Sequence, residues 1–245
     1  MAQDRDWTTL FKIGGLAALL AGLLFRRNLG AEASLLVGVD VIPTAVVEWY
    51  ALLQSNPWLG LAFLTVFDLA NYALEALVFL ALCAALWHGH RSVAVIALAS
   101  GLVGTAVGFA ANISLTMLSL SQQYAAATSA AQKASLLDAG QAVLASNNPL
   151  VTFPGTGAYV SLLLIAVAGL LYSLLLLAPH RTTAIFGLLA SGCDLAYCLT
   201  FLLAPSLQVV WLASGGLFWM IWHLFIARML LRNRLKSNHE DTKGF

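Results

Sequence analysis

Charged residues are scarce in this sequence. The 245 residues include 12 Lys and Arg and 11 Asp and Glu, so only 9% are charged while 60% are hydrophobic. A soluble domain carries about 25% charged residues. Because one soluble core does not hide so large a hydrophobic excess, the composition predicts an all-α, polytopic membrane protein. With a net charge of +1 and no long basic tract, nucleic acid is not an expected partner, whereas the lipid bilayer is.

Cysteine is also scarce, and familiar catalytic motifs are missing. Cys83, Cys193 and Cys198 all lie in apolar stretches, so no disulfide framework is indicated. The chain has no Gly-rich phosphate loop followed by Lys, no H-E-x-x-H and no G-x-S-x-G. We therefore expect no enzymatic activity, no catalytic residues and no metal site.

Apolar stretches long enough to cross about 30 Å of hydrocarbon as helices occur six times. Arg26 and Arg27 follow the first stretch directly, so we interpret it as a retained helix rather than a signal peptide. We expect a single transmembrane domain over residues 1–231, followed by a disordered polar tail over 232–245. The predicted spans are 8–26, 58–87, 92–120, 156–178, 182–204 and 207–231.

The distribution of Lys and Arg predicts the orientation. With six spans, nine of these residues lie on the side of the two termini and three on the other side. Because cytoplasmic loops are rich in Lys and Arg, both termini are expected in the cytoplasm. The pair Arg26 and Arg27, on the sparser side, locally favours the reverse.

Two connections on the predicted outer side are too long for simple loops. Within residues 28–57, a helical face combines Val46, Trp49, Tyr50 and Leu53, which is typical of an amphipathic helix. Residues 121–148 are rich in Ala, Gln and Ser, so they favour a helix that is too polar to cross a bilayer. We expect both segments to lie on the membrane or to cap the bundle on its outer side.

Polar residues interrupt the second predicted span. Asp68, Asn71 and Glu75 fall on one helical face, together with Tyr72. Since an unpaired charge in hydrocarbon costs at least about 2.5 kcal/mol, this face should point into the bundle. Protonation of the carboxylates is the alternative, because burial favours the neutral form of an acid.

The depths of these residues in their spans suggest partners. Asp68 and Asn112 lie at similar depths, so we interpret Asp68, Asn71 and Asn112 as a structural polar cluster. Glu75 and Asp194 are both twelve residues from the predicted inner side, and two adjacent acids would share a proton. His223 lies at a similar depth in the sixth span, so it is a candidate partner for either acid. Glu75, Asp194 and His223 are therefore the candidates for a ligand site or proton pathway.

Small residues recur every four positions in the third span, at Ser100, Gly104 and Gly108. This stripe lets another helix approach closely, which predicts packing inside the bundle, with homodimerisation as the alternative. His223 lacks an obvious second axial ligand, so we expect neither haem nor another cofactor.

The chain resembles a family of uncharacterised six-span prokaryotic membrane proteins that is known only as a domain of unknown function. The resemblance covers roughly residues 10–230. It is carried by L-Q-S-N-P-W before the second span, by D-x-x-N-Y within it and by Q-Q-Y-A-A-A-T after the third span. It implies a multi-pass protein of the prokaryotic inner (plasma) membrane, and it implies no substrate, cofactor or site residue.

Three functions agree with these patterns. The first is a non-enzymatic protein that binds a lipid or small molecule, or that serves as an accessory subunit of a larger membrane complex. The second is a small proton-coupled transporter or proton conduit that uses the intramembrane carboxylates. The third is an intramembrane redox protein with haem. The polar face of the second span favours the first two.

Overall fold

The computed structural model describes residues 7–38, 43–148 and 154–241, and the described chain is helical with no strand. Ten α-helices and one short 3-10 helix, Pro205–Leu207, follow one another in this part of the chain. The α-helices are α1 (Thr8–Gly38), α2 (Val46–Ser55), α3 (Pro57–Phe63), α4 (Val66–Ala85), α5 (Trp87–Ala111), α6 (Ser114–Ala126), α7 (Ala130–Ser146), α8 (Thr156–Leu176), α9 (Arg181–Leu203) and α10 (Gln208–Asp241).

Six helices pack side by side in a ring, in the order α1, α4, α5, α8, α9 and α10, and α10 closes the ring against α1. One residue, Leu86, separates α4 from α5, and α8 is joined to α9 by residues 177–180, so these neighbours run antiparallel. Large aromatic side chains fill the interior of the ring, including Phe79, Tyr172 and Trp222, each fully buried. This arrangement places residues from opposite helices within contact distance.

Five stretches of the described helices are long and apolar enough to cross a membrane: Val66–Ala85, Trp87–Ala126, Thr156–Leu176, Arg181–Thr200 and Gln208–Arg232. Their outer faces carry exposed aliphatic side chains, such as Ile96, Val103, Leu199 and Val209. Large exposed apolar surface of this kind suits contact with lipid rather than water. The chain is therefore a multi-pass, all-helical membrane protein. The predicted first span corresponds to α1, in which the shorter apolar helix Thr8–Leu24 is found.

Two predicted spans differ from the observed helices. The second is divided at Leu64 and Thr65, and Thr65 has a φ of 58°, which is unusual for a β-branched residue. The third is divided at Asn112 and Ile113, between α5 and α6. Helix α6 packs on α2, α3 and α7, at the end of the ring where α5 finishes.

Helices α2, α3, α6 and α7 build a second hydrophobic cluster at that end, which we call the α2 cluster. The predicted face of α2 is confirmed, because Val46, Trp49, Tyr50 and Leu53 are all buried. The hydroxyl of Tyr50 donates to the carbonyl oxygen of Leu136 at 2.8 Å. The buried residues of the cluster are Val46, Trp49, Tyr50, Leu53, Leu61, Phe63, Leu64, Ile113, Met117 and Leu144.

The first turn of α2 is held by a carboxylate. Oε2 of Glu48 accepts from the backbone N–H of Thr44 at 2.7 Å and from that of Ala45 at 3.1 Å. These bonds occupy N–H groups that a helix start otherwise leaves unpaired. They also lower the pKa of Glu48 from its ordinary value, with the bond from Thr44 as the larger cause.

Asparagine side chains hold together the chain segments that connect the α2 cluster to the ring. Nδ2 of Asn112 donates to the carbonyl oxygen of Thr65 at 2.9 Å, which links the two helix breaks. Nδ2 of Asn147 donates to the carbonyl oxygen of Ala111 at 2.6 Å. The bond from Asn147 pairs a carbonyl at the end of α5, where carbonyls lack a partner within the helix, whereas the carbonyl of Thr65 also accepts from the backbone N–H of Asp68.

At the carboxyl end, α10 continues to Asp241. The predicted disordered tail, 232–245, overlaps the last part of this helix, and residues 242–245 lie outside the described residues. The three cysteines are buried and free.

Candidate functional site

Helix α4 presents its polar face to the interior of the ring. Glu75 is 4% exposed and Asn71 is 5% exposed, so both lie inside the bundle. They are one helical turn apart, in the middle and first half of α4. This agrees with the expectation that the polar face of the second span turns away from lipid.

Glu75 meets His223 across the ring. Oε1 of Glu75 lies 2.9 Å from Nε2 of His223, and the imidazole is fully buried. The two residues are 148 positions apart in sequence and belong to α4 and α10. The structure therefore brings together two of the three residues that were predicted to form a ligand site or proton pathway.

The second ring nitrogen of His223 determines how this pair carries its proton. Nδ1 lies 2.8 Å from the carbonyl oxygen of Trp219, one turn earlier on α10. Because a carbonyl oxygen only accepts, Nδ1 carries a hydrogen. A single proton then lies between Nε2 and Oε1. On the carboxyl it leaves both groups neutral, and on the imidazole it makes an ion pair, with the same net charge in each case.

Asp194 on α9 is the third predicted residue, and it is also buried. Its Oδ2 accepts a hydrogen bond from Nε1 of Trp219 at 2.6 Å. Asp194 lies close enough to Glu75 for the charges of the two acids to interact, so a low-dielectric interior disfavours ionising both. Each acid has its own hydrogen-bonding partner, Trp219 for Asp194 and His223 for Glu75.

Trp219 joins the two halves of the site. Its indole N–H holds Asp194, and its backbone carbonyl faces Nδ1 of His223. Its ring centroid is 5.0 Å from that of Trp222 and 5.8 Å from that of His223. The two tryptophans therefore surround the imidazole with apolar surface, which strengthens electrostatic interactions there.

Two oxygen atoms of α4 are buried without a hydrogen-bond partner among the described residues. These are Oε2 of Glu75 and Oδ1 of Asn71. Buried polar atoms in proteins are nearly always paired, with protein, water or ligand, because leaving one unpaired costs about 1–3 kcal/mol. The unpaired acceptors are on the same helical face as the bond from Glu75 to His223.

Asp68 and Asn112 do not form the expected pair. Nδ2 of Asn112 donates to the carbonyl oxygen of Thr65, and Oδ1 of Asn112 accepts from the hydroxyl of Ser114 at 2.5 Å. This follows from the helix break at Asn112, where the side chain caps the new helix instead of reaching across the bundle. Asp68 is half-buried near the start of α4, close to Tyr72.

The small-residue stripe of α5 faces α8 and α4. The hydroxyl of Ser100 donates to the carbonyl of Leu164 at 2.9 Å. At Gly104 an added Cβ would meet Leu164 at 3.1 Å. At Gly108 an added Cβ would come within 2.7 Å of the hydroxyl of Ser161. The stripe thus allows close packing inside the ring.

Among the described residues, no group of three or more His, Cys, Asp and Glu side chains is placed to hold a metal ion. Both nitrogens of His223 face protein atoms, Oε1 of Glu75 and the carbonyl of Trp219. The imidazole therefore presents no open nitrogen toward a haem iron.

Comparisons with protein-family models, with curated proteins and with solved structures find no match to this chain.

Trp219 holds Asp194, a contact that the sequence patterns do not predict. Its spacing of four residues from His223 places both on one helical face, which was the available signal. Nothing in the spacing indicates that its indole reaches Asp194 on another helix.

Proposed function

We propose that this chain takes up and releases a proton at the buried pair of Glu75 and His223, as a small proton-coupled transporter or proton conduit. The observation that carries the proposal is the 2.9 Å contact between Oε1 and Nε2 deep in the ring. Intramembrane ionisable residues are costly to bury and commonly belong to ion or proton pathways.

Proton sharing makes this pair suitable for exchange. Moving the proton from the carboxyl to the imidazole turns a neutral pair into an ion pair of the same net charge, so no isolated charge is created in the low-dielectric interior. Asp194, held by Trp219, provides a second acid close to the first.

The proposal includes a membrane arrangement. Helix α1 serves as a sixth span, since it closes the ring between α4 and α10. The α2 cluster caps the outer side, and both termini are cytoplasmic in the inner membrane, which the bias of nine Lys and Arg against three supports. No enzymatic role is included, because the site is explained without a catalytic motif.

Purified protein in proteoliposomes containing a pH-sensitive dye provides the test. Glu75→Gln keeps the size and polarity of the side chain but removes the exchangeable proton, so we expect pH-dependent flux to be lost. Asp138→Asn is the matched control, because Asp138 is an exposed acid on α7 outside the site, and it should retain flux. Wild-type flux in the Glu75→Gln protein would refute the proposal.

A second candidate function is non-enzymatic binding of a small molecule, or service as an accessory subunit. The unpaired oxygens of Asn71 and Glu75 favour the binding version, since they have accepting capacity that the described protein leaves unused. The accessory-subunit version predicts copurification with a larger complex from native membranes. A consistently free protein in mild detergent would count against it.

A further inference from the structure

We propose that Asn71 and Glu75 form a binding site for a small ammonium ion, the protonated form of a primary amine, whose binding expels one proton. The inference rests on the proposed proton exchange, since the expelled proton is the one shared by Glu75 and His223.

The site is defined by two oxygens that lack donors. Oε2 of Glu75 and Oδ1 of Asn71 are acceptor atoms, both buried, on residues four positions apart in α4. Side chains at this spacing are neighbours on a helix surface, with Cβ atoms about 5–6 Å apart. One donor group between them can reach both oxygens.

The chemistry of the acceptors selects the ligand. A carboxylate in a low-dielectric interior favours a positive partner, and two acceptors require at least two N–H or O–H hydrogens. A primary ammonium offers both. Ca²⁺ takes six or more oxygen ligands, so these two oxygens do not complete its coordination shell.

Charge balance couples the ligand to the proton. With the shared proton present, Glu75 and His223 carry no net charge. If an ammonium ion binds to Oε2 and the shared proton leaves to solvent, a carboxylate and an ammonium remain, with His223 neutral, and the net charge is again zero. One cation enters and one proton leaves, so no bond other than that to the proton is broken.

The surrounding acidic and basic groups are few. Those of α5 lie in its first turns, α8 has none, and those of α1 flank its apolar run over residues 13–25. Among the described residues, the acidic and basic groups deep in the bundle are Glu75, Asp194 and His223, with Asp68 near the start of α4. Asp194 is already held by Trp219, so Glu75 is the acid with an unused oxygen deep in α4.

Calorimetric titration of the full-length protein in detergent tests the inference, with methylammonium chloride as the ligand. Tetramethylammonium chloride is the matched probe, because it has the same charge and no N–H. Titrations in two buffers of different ionisation enthalpy give the number of protons released. We expect saturable binding of methylammonium, about one proton released per ion, and no binding of tetramethylammonium.

Two variants locate the site. Asn71→Leu removes an acceptor at similar volume and should weaken methylammonium binding by about 10-fold to 100-fold. Glu75→Gln should abolish both methylammonium binding and pH-dependent flux in proteoliposomes. Asn71→Ala serves as a second variant if Asn71→Leu elutes as an aggregate, and Asp138→Asn should bind as the wild type does.

The outcomes separate the two proposals. If wild-type protein exchanges protons but binds no methylammonium, or if Asn71→Leu binds it unchanged, the ammonium site is wrong and only water pairs with these oxygens. Equal binding of tetramethylammonium would also overturn it. If methylammonium binds but flux survives Glu75→Gln, proton exchange is refuted instead.

Discussion

Replacing His223 by Leu tests the physical role of the buried pair. His223 is 0% exposed and Glu75 is 4% exposed, so neither regains solvent when its partner is lost. In the wild type, one oxygen of Glu75 faces Nε2 of His223 and the other has no partner among the described residues. In His223→Leu both oxygens are left without a partner. Leucine fills much of the imidazole volume, so the cavity contribution is small.

The expected cost depends on where the proton lies. A buried neutral group that loses its hydrogen bond costs about 1–3 kcal/mol. Breaking a buried ion pair by removing one member costs about 3–5 kcal/mol. His223→Leu should therefore lower the free energy of unfolding by about 1–5 kcal/mol. Glu75→Leu leaves the imidazole without its partner and should lower the free energy of unfolding by about 1–3 kcal/mol.

The double variant Glu75→Leu/His223→Leu distinguishes pairing from packing. It removes both polar groups together, so no buried polar atom loses its partner. Replacing both partners by apolar groups often changes the free energy of unfolding very little. We expect the double variant to be more stable than His223→Leu alone. The coupling energy of the cycle should be at least about 1 kcal/mol, within the range known for residues in contact.

Unfolding by sodium dodecyl sulphate in mixed micelles, followed by far-ultraviolet circular dichroism, measures these free energies. The control is Asp138→Leu, an exposed position on α7 that should change stability by less than about 0.5 kcal/mol. Additive losses in the double variant would show that Glu75 and His223 do not stabilise each other, and the reasoning from their 2.9 Å contact would fail.

Three further predictions concern other parts of the structure. Asn112→Leu should destabilise by about 1–3 kcal/mol in the same unfolding assay, because it removes the hydrogen bond to the carbonyl of Thr65 and the acceptor of the Ser114 hydroxyl, whereas a change within error would refute the link between the breaks. Gly104→Leu should lower the thermal midpoint, since its side chain would enter α8, and an unchanged midpoint would contradict close packing there. The lowered pKa of Glu48 stabilises α2 above the unfolded value of 4.5 and ceases to do so as pH falls through the folded value. The melting difference between wild type and Glu48→Gln should therefore shrink on acidification, and a constant difference would contradict this.

Periodicity predicted those features that depend on one helix at a time. The buried face of α2 follows from the spacing of Val46, Trp49, Tyr50 and Leu53, because a 3.6-residue period places them together. The inward-facing polar side of α4 follows in the same way, since the cost of exposing Glu75 to lipid leaves few alternatives. Position along the spans also placed His223 at the level of Glu75.

Interactions between helices were harder to predict. Asn112 was expected to meet Asp68 at equal depth, but equal depth does not determine which way a helix is rotated or where it breaks. An asparagine near a helix end competes for backbone groups, and here that local bond prevails. The left-handed backbone at Thr65 has no residue-type signal, since such positions usually hold Gly or Asn.

For the proposed proton exchange, the side chains along α4 also give a direction. Toward the end of α4, Phe79 stacks on Tyr172 with ring centroids 5.7 Å apart, and the buried residues that follow are apolar. Toward its start, Asn71 and the half-buried Asp68 continue the polar face up to the α2 cluster. Because polar groups and water lower the cost of moving a proton and apolar packing raises it, the shared proton of Glu75 should exchange through the end of the ring at which α4 begins.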